Sequence, residues 1–140
     1  MPSDPAPAPR SRPPESEKIT LNLGFVDLGQ IDLLVAEGFY GNRSDFIRAA
    51  IRQQLARHGE VVGQAVARRT LVLGLQRFEA ADLRAVQAAG ERLRIRVLGL
   101  AVIADDVSAE LALATIESIQ VLGAFHASPA VRDALAARLR

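Results

Sequence analysis

Lys18-Ile-Thr-Leu-Asn-Leu23, running straight on into GFVDLGQIDLLVAEGFYGNRSDFIRAAIRQQLAR as far as Arg57, decides how the chain is read. Its first six residues alternate strictly. Ile19, Leu21 and Leu23 fall on one face of a β-strand, Lys18, Thr20 and Asn22 on the other. Helical spacing follows from near Val26 to Glu37, with Leu28, Ile31, Leu34 and Val35 as the apolar stripe and Gly38 as the stop. Asn42 and Asp45 have the spacing of a capping box. They open a second helix whose Phe46, Ile47, Ala50, Ile51 and Leu55 share a face, with Arg48 and Arg52 opposite, ending near His58-Gly59. No second strand lies inside this stretch, and about forty residues bury too little apolar surface to fold alone. A second copy of the chain resolves both deficits. Two strands pair antiparallel across a two-fold axis, four helices close over their apolar face, and the polar faces form a ribbon sized for a DNA major groove.

The element order, the alternating strand and the EGFYGNRSDFIRAAI run resemble the ribbon-helix-helix repressors of the Arc, MetJ and CopG type. The resemblance covers residues 18–58, and Gly24 departs from the proline or small polar residue common at that helix entrance. It implies a homodimeric, sequence-specific regulator of transcription, bacterial and acting as a repressor, that binds double-stranded DNA and assembles further on tandem half-sites. On the ribbon, Lys18 suits guanine, Asn22 suits adenine, and Thr20 can donate, accept or touch a thymine methyl. At the start of the second helix, Asn42, Arg43 and Ser44 surround free backbone N–H groups that suit a phosphate.

Composition narrows the classes. The chain has 140 residues and no cysteine, so disulfide and thiolate chemistry are excluded. No apolar run reaches the ~20 residues of a membrane span, and no secretory signal opens the sequence. A cytoplasmic, nucleoid-associated protein is expected. The net charge is only +1. The bases and acids between Lys18 and His58 nearly cancel too, so DNA binding must rest on the placement of charge. His58 and His126 lack partners at ligand spacing, Asp105-Asp106 reads as a solvated turn, and no phosphate loop or nucleophile elbow occurs. The sequence therefore points to no enzyme, no cofactor and no metal.

Residues 1–17 hold six of the seven prolines and read as a disordered, solubilising tail whose Arg10 and Arg12 could touch phosphate. Residues 59–69 read as a connecting helix, weakened by Gly63. From Thr70 the chain repeats: LVLGL, RVLGL and QVLGA centre on Gly74, Gly99 and Gly123, with helical apolar positions behind each. Ser108 and Ser128-Pro129 mark helix starts. The whole is thus expected to be α+β, with a ribbon-helix-helix dimer (18–58) followed by a small strand–helix repeat domain (70–140). The repeat strands would be parallel, leucine-rich-repeat-like in architecture without the Asn of that consensus. The domain would serve oligomerisation or partner binding, through an uncovered last-strand edge near Val121. Arg92, Arg94 and Arg96 read as a solvated strand face. Two rival functions stand beside the regulator. One is a scaffold that uses the N-terminal module only to dimerise; the other is an antitoxin of a toxin–antitoxin pair.

The missing strand partner has a direct thermodynamic signature. Residues 18–58 expressed alone should melt at a temperature that rises with protein concentration, because folding is coupled to association. Calorimetry over a wide concentration range checks this, and a concentration-independent melt of a monomer would exclude the dimeric ribbon.

Overall fold

The structure is a computed structural model that describes residues 16–140. The tail read at 1–17 therefore lies outside the described residues up to position 15. Three helices come first: α1 (Phe25–Ala36), α2 (Arg43–Arg57) and α3 (Gly59–Arg69). Gly38, at φ +85°, closes α1 in the left-handed conformation. There Phe39 N–H donates to Leu34 O at 3.0 Å and Gly38 N–H to Val35 O at 3.1 Å, satisfying two end carbonyls. Of the expected capping box on α2, one half forms: Asn42 Oδ1 accepts from Asp45 N–H at 2.8 Å.

The expected strand at 18–23 is not formed within one chain; residues 17–24 carry no regular secondary structure. The reason is elementary, since a strand is defined by backbone pairing and this segment has no partner here. The helices behind it are correspondingly bare. Among α1–α3 only Ile31 is buried, while Ile19 is 80 % exposed, Phe25 94 % and Leu55 60 %. The face of α2 read as core thus has no buried residue in the single chain.

After α3 the chain turns through Thr70, the one non-glycine residue with positive φ (+55°) among those described. It then builds β1 (Val72–Phe78), α4 (Ala80–Ala88), β2 (Leu93–Ile103), α5 (Ala109–Thr115), β3 (Ile116–His126) and α6 (Pro129–Leu135). The three strands form one parallel sheet in the order β1-β2-β3. Their inner face packs against the helices in a core that includes Leu83, Ile95, Val97, Ile103, Ile119 and Leu135. Ser108 and Ser128 cap α5 and α6 by accepting from Leu111 N–H (3.1 Å) and Val131 N–H (3.3 Å). The middle and last strands run longer than the five-residue repeats, to 11 residues each.

The repeated glycines stand side by side across the sheet: Gly74 pairs with Gly99 and Gly99 with Gly123. All three have φ between +121° and +139°. A Cβ on Gly99 would sit on the Gly74 carbonyl oxygen, and a Cβ on Gly123 on that of Gly99. Both the dihedral and the close approach demand glycine.

The chain meets the outer edge of β3 at one point, where Leu139 bridges Ile119 in parallel and Arg140 N–H donates to Ile119 O at 2.8 Å. Among the described residues no pairing continues along that edge past Ile119, through Val121 to His126.

The glycine column predicts a graded pair of substitutions. Gly99→Ala should destabilise by at least about 3 kcal/mol, combining dihedral strain with a backbone clash. Gly74→Ala should cost less, since nothing lies within 4 Å of the place its new methyl would take. Urea unfolding of both variants gives the order.

Candidate nucleic-acid interface

Ile19, Leu21 and Leu23 line an open cleft of about 600 Å³ together with Leu28 of α1 and Ile47 and Ile51 of α2. The alternate residues Lys18, Thr20 and Asn22 are exposed and are not part of this lining. Alternation in the sequence therefore becomes two-sidedness in space, with apolar side chains toward the helices and polar ones toward solvent. A helix-facing apolar side and an outward row of one cation, one hydroxyl and one amide can read base edges without disturbing the fold behind.

The second group of expected residues gathers at the mouth of the same cleft. Arg43, Ser44 and Arg48 line it. Asn42 is engaged through its side chain in capping α2. Among the described residues, the N–H groups of Arg43 and Ser44 meet no acceptor, which leaves two donors of the first turn pointing outward. The Arg43 guanidinium, by contrast, is taken. Its Nε donates to Asp32 Oδ1 at 2.7 Å and its Nη2 to Asp32 Oδ2 at 2.8 Å, a bidentate pair joining α1 to the start of α2. Those hydrogen bonds, helped by the nearby positive charge, hold the Asp32 carboxyl below its ordinary range and raise Arg43 above its own. The role of Asp32 was invisible in the sequence, because its partner lies 11 positions on, in another helix. The available signal was its place on α1 opposite the one arginine in the first turn of α2.

Elsewhere several charged residues have structural partners. Arg94 of β2 pairs with Glu117 at 2.9 Å, which lowers the Glu117 carboxyl through hydrogen bonding and charge. Arg92 donates to Leu113 O, and Arg138 donates to both Leu113 O and Ile116 O, closing the end of α5. Asp106, read as a solvated turn residue, accepts from Ala80 N–H at 3.1 Å and so caps the helix of the preceding unit. Glu17 lies 3.7 Å from His126 Nε2, a partner for that histidine that no local spacing could announce. Among the described residues no three His, Asp or Glu side chains come together as metal ligands. No helix among them is long and apolar enough to cross a membrane.

Against known proteins, the profile of the ribbon-helix-helix transcriptional regulator family matches residues 14–132. The match continues far beyond the stretch that carries the resemblance and takes in all three strands of the sheet. No curated protein and no solved structure matches the chain.

The Asp32–Arg43 pair makes a prediction about acid. Asp32 has a lowered folded-state pKa, so its contribution is complete above its unfolded pKa and disappears as pH falls through the lowered folded-state value. Asp32→Asn should therefore flatten the loss of stability in acid while changing neutral-pH stability little, because both partners face solvent. Urea midpoints of the two proteins across an acidic pH series measure the difference; parallel curves would mean the pair contributes nothing.

Proposed function

The chain belongs to the ribbon-helix-helix transcriptional regulator family, a family that binds DNA as dimers, and from that premise we propose how this member does so. Two copies pair their Lys18–Leu23 segments antiparallel into a ribbon that enters the major groove. Lys18, Thr20 and Asn22 read base edges, while the N–H groups of Arg43 and Ser44, ordered by the Asn42 cap, hold a phosphate on each side. The protein acts as a repressor in the bacterial cytoplasm and assembles further on adjacent half-sites. The three-stranded parallel sheet and its helices form a short repeat domain, leucine-rich-repeat-like in layout, that supplies assembly or partner contacts.

One observation carries this reading. Ile19, Leu21 and Leu23 turn toward an apolar cleft between α1 and α2 that one chain leaves open, and the polar residues between them stay outside it. A second copy closes such a cleft without covering Lys18, Thr20 or Asn22. The Asp32–Arg43 pair supports the phosphate role by fixing the start of α2 against α1. It also favours backbone donors for the phosphate, since the guanidinium must leave Asp32 before it can bind an anion.

The low net charge of +1 favours a second reading, in which the module only dimerises and the sheet domain acts as a scaffold. DNA binding separates the two. Lys18→Ala, Thr20→Ala and Asn22→Ala together should leave the dimer intact and abolish operator selection, each good base contact being worth about 1–3 kcal/mol. Binding of the unaltered protein should weaken with salt, by about one log unit per log unit of salt for each phosphate contact. Selection from a random DNA library by both proteins is the measurement. If the triple variant recovers the same sites, the ribbon does not read bases; if neither protein selects any, the scaffold reading stands.

A further inference from the structure

The chain meets the outer edge of β3 at a single residue, Ile119, through Leu139 and Arg140. Among the described residues nothing pairs with the far side of β1. Every second N–H and C=O of that strand is therefore left pointing away from β2. Its side chains are the opposite of those that protect an edge. Val72, Leu73, Gly74 and Leu75 carry no charge and no proline, and Arg77 is the first ionised group along the strand. Natural sheets guard such an edge with lysine, proline, a bulge or a covering segment.

The exposures follow the same asymmetry. Leu73 is 69 % and Leu75 63 % exposed, whereas Leu98 and Leu100, their register partners on β2, are half-buried. On the inner face Val72 is 43 % exposed although its partner Val97 is fully buried, so the core itself is open at this end.

We infer that the free edge of β1 pairs with β1 of a second copy of this chain, antiparallel across a two-fold axis, joining the two sheets into one. The choice of occupant rests on the dimer of the preceding section. A second copy is held beside the first by the ribbon, and β1 follows that module through a single 11-residue helix, α3. Tethering at that range gives a high effective concentration to a weak strand pairing. Apolar residues also stay uncovered along the chain between the two: Leu55 at the end of α2, Val61 and Val62 on α3, and Val72 and Leu73 on β1 are all exposed in the single chain.

The absence of cysteine makes the test clean. In the full-length protein, cysteines are placed on β1 singly at Val72, Leu73, Leu75 or Gln76 and as the pair Leu73→Cys/Leu75→Cys, on β3 at Leu122, and on the ribbon at Thr20, then oxidised with copper-phenanthroline. A disulfide forms only where the two Cα atoms come within about 7 Å, so on β1 only the protein whose cysteines meet across the two-fold axis cross-links. That protein should shift mostly from 15.0 kDa to twice that mass, and Leu122→Cys should not. Adding Leu73→Lys or Leu75→Lys beside its cysteine should cut the yield several-fold, by placing like charges along the joined edge. If Thr20→Cys cross-links, or the protein sediments at twice 15.0 kDa, and every β1 protein stays monomeric, the β1 pairing is wrong and the ribbon dimer stands. If all stay monomeric and the protein sediments at 15.0 kDa, the dimer fails and the β1 pairing with it. Equal cross-linking at Leu122 and on β1 would also overturn it, because contact would then not be confined to β1.

Discussion

An extended backbone segment with one apolar side is the constraint from which the N-terminal half follows. Residues 18–23 have six peptide groups to satisfy and three apolar side chains to bury, and their own chain offers them only one wall of a cleft. Burying an exposed leucine or isoleucine stabilises by about 1.5–3 kcal/mol, and α1 and α2 leave several such side chains bare. Ile19, Leu21 and Leu23 line the cleft with Leu28, Ile47 and Ile51, while Lys18, Thr20 and Asn22 stay outside it. In the proposed dimer, one alternating pattern serves association on one side and recognition on the other.

The C-terminal half meets the burial problem by itself. Each strand is followed by a helix, and side chains from both fill a core in which Leu83, Ile116, Ile119, Val131 and Leu135 have no exposure. The sheet is pinned by the glycine column, where neighbouring backbones approach more closely than any side chain permits. Register is consequently fixed at one level across all three strands, since a shift of a single residue would set a Cβ against a carbonyl. Only the two edges escape this arrangement, and the chain meets one of them at a single residue, Ile119.

Long-range polar contacts join the pieces. Asp32 holds Arg43 across the turn between α1 and α2, Asp106 caps α4 from the loop after β2, and Arg138 reaches the end of α5. Each satisfies a group that helix geometry leaves unpaired or orients one element on another. The Asp32–Arg43 pair, exposed on both sides, adds little stability. The effect of these contacts is to set angles and positions, which is what a recognition surface needs.

Local pattern carried much of this in the sequence. The 3.6-residue spacing of α1 and α2, the Asn42, Ser108 and Ser128 caps, the stop at Gly38 and the aligned Gly74, Gly99 and Gly123 all depend on residues close together in the chain or repeated along it. Their forces act over one turn or one strand, so they are legible in order. The partition of Lys18, Thr20 and Asn22 from Ile19, Leu21 and Leu23 was legible for the same reason. What needed the tertiary structure was every outcome decided by residues far apart. Arg43 gave its guanidinium to Asp32, Asp106 became a cap, and Glu17 came to lie beside His126. The residues after α6 fold back onto β3 at Ile119, and among the described residues nothing pairs with the far side of β1. Alternation and periodicity fix which side of an element is apolar; only packing in three dimensions fixes what that side, or an edge, finally meets.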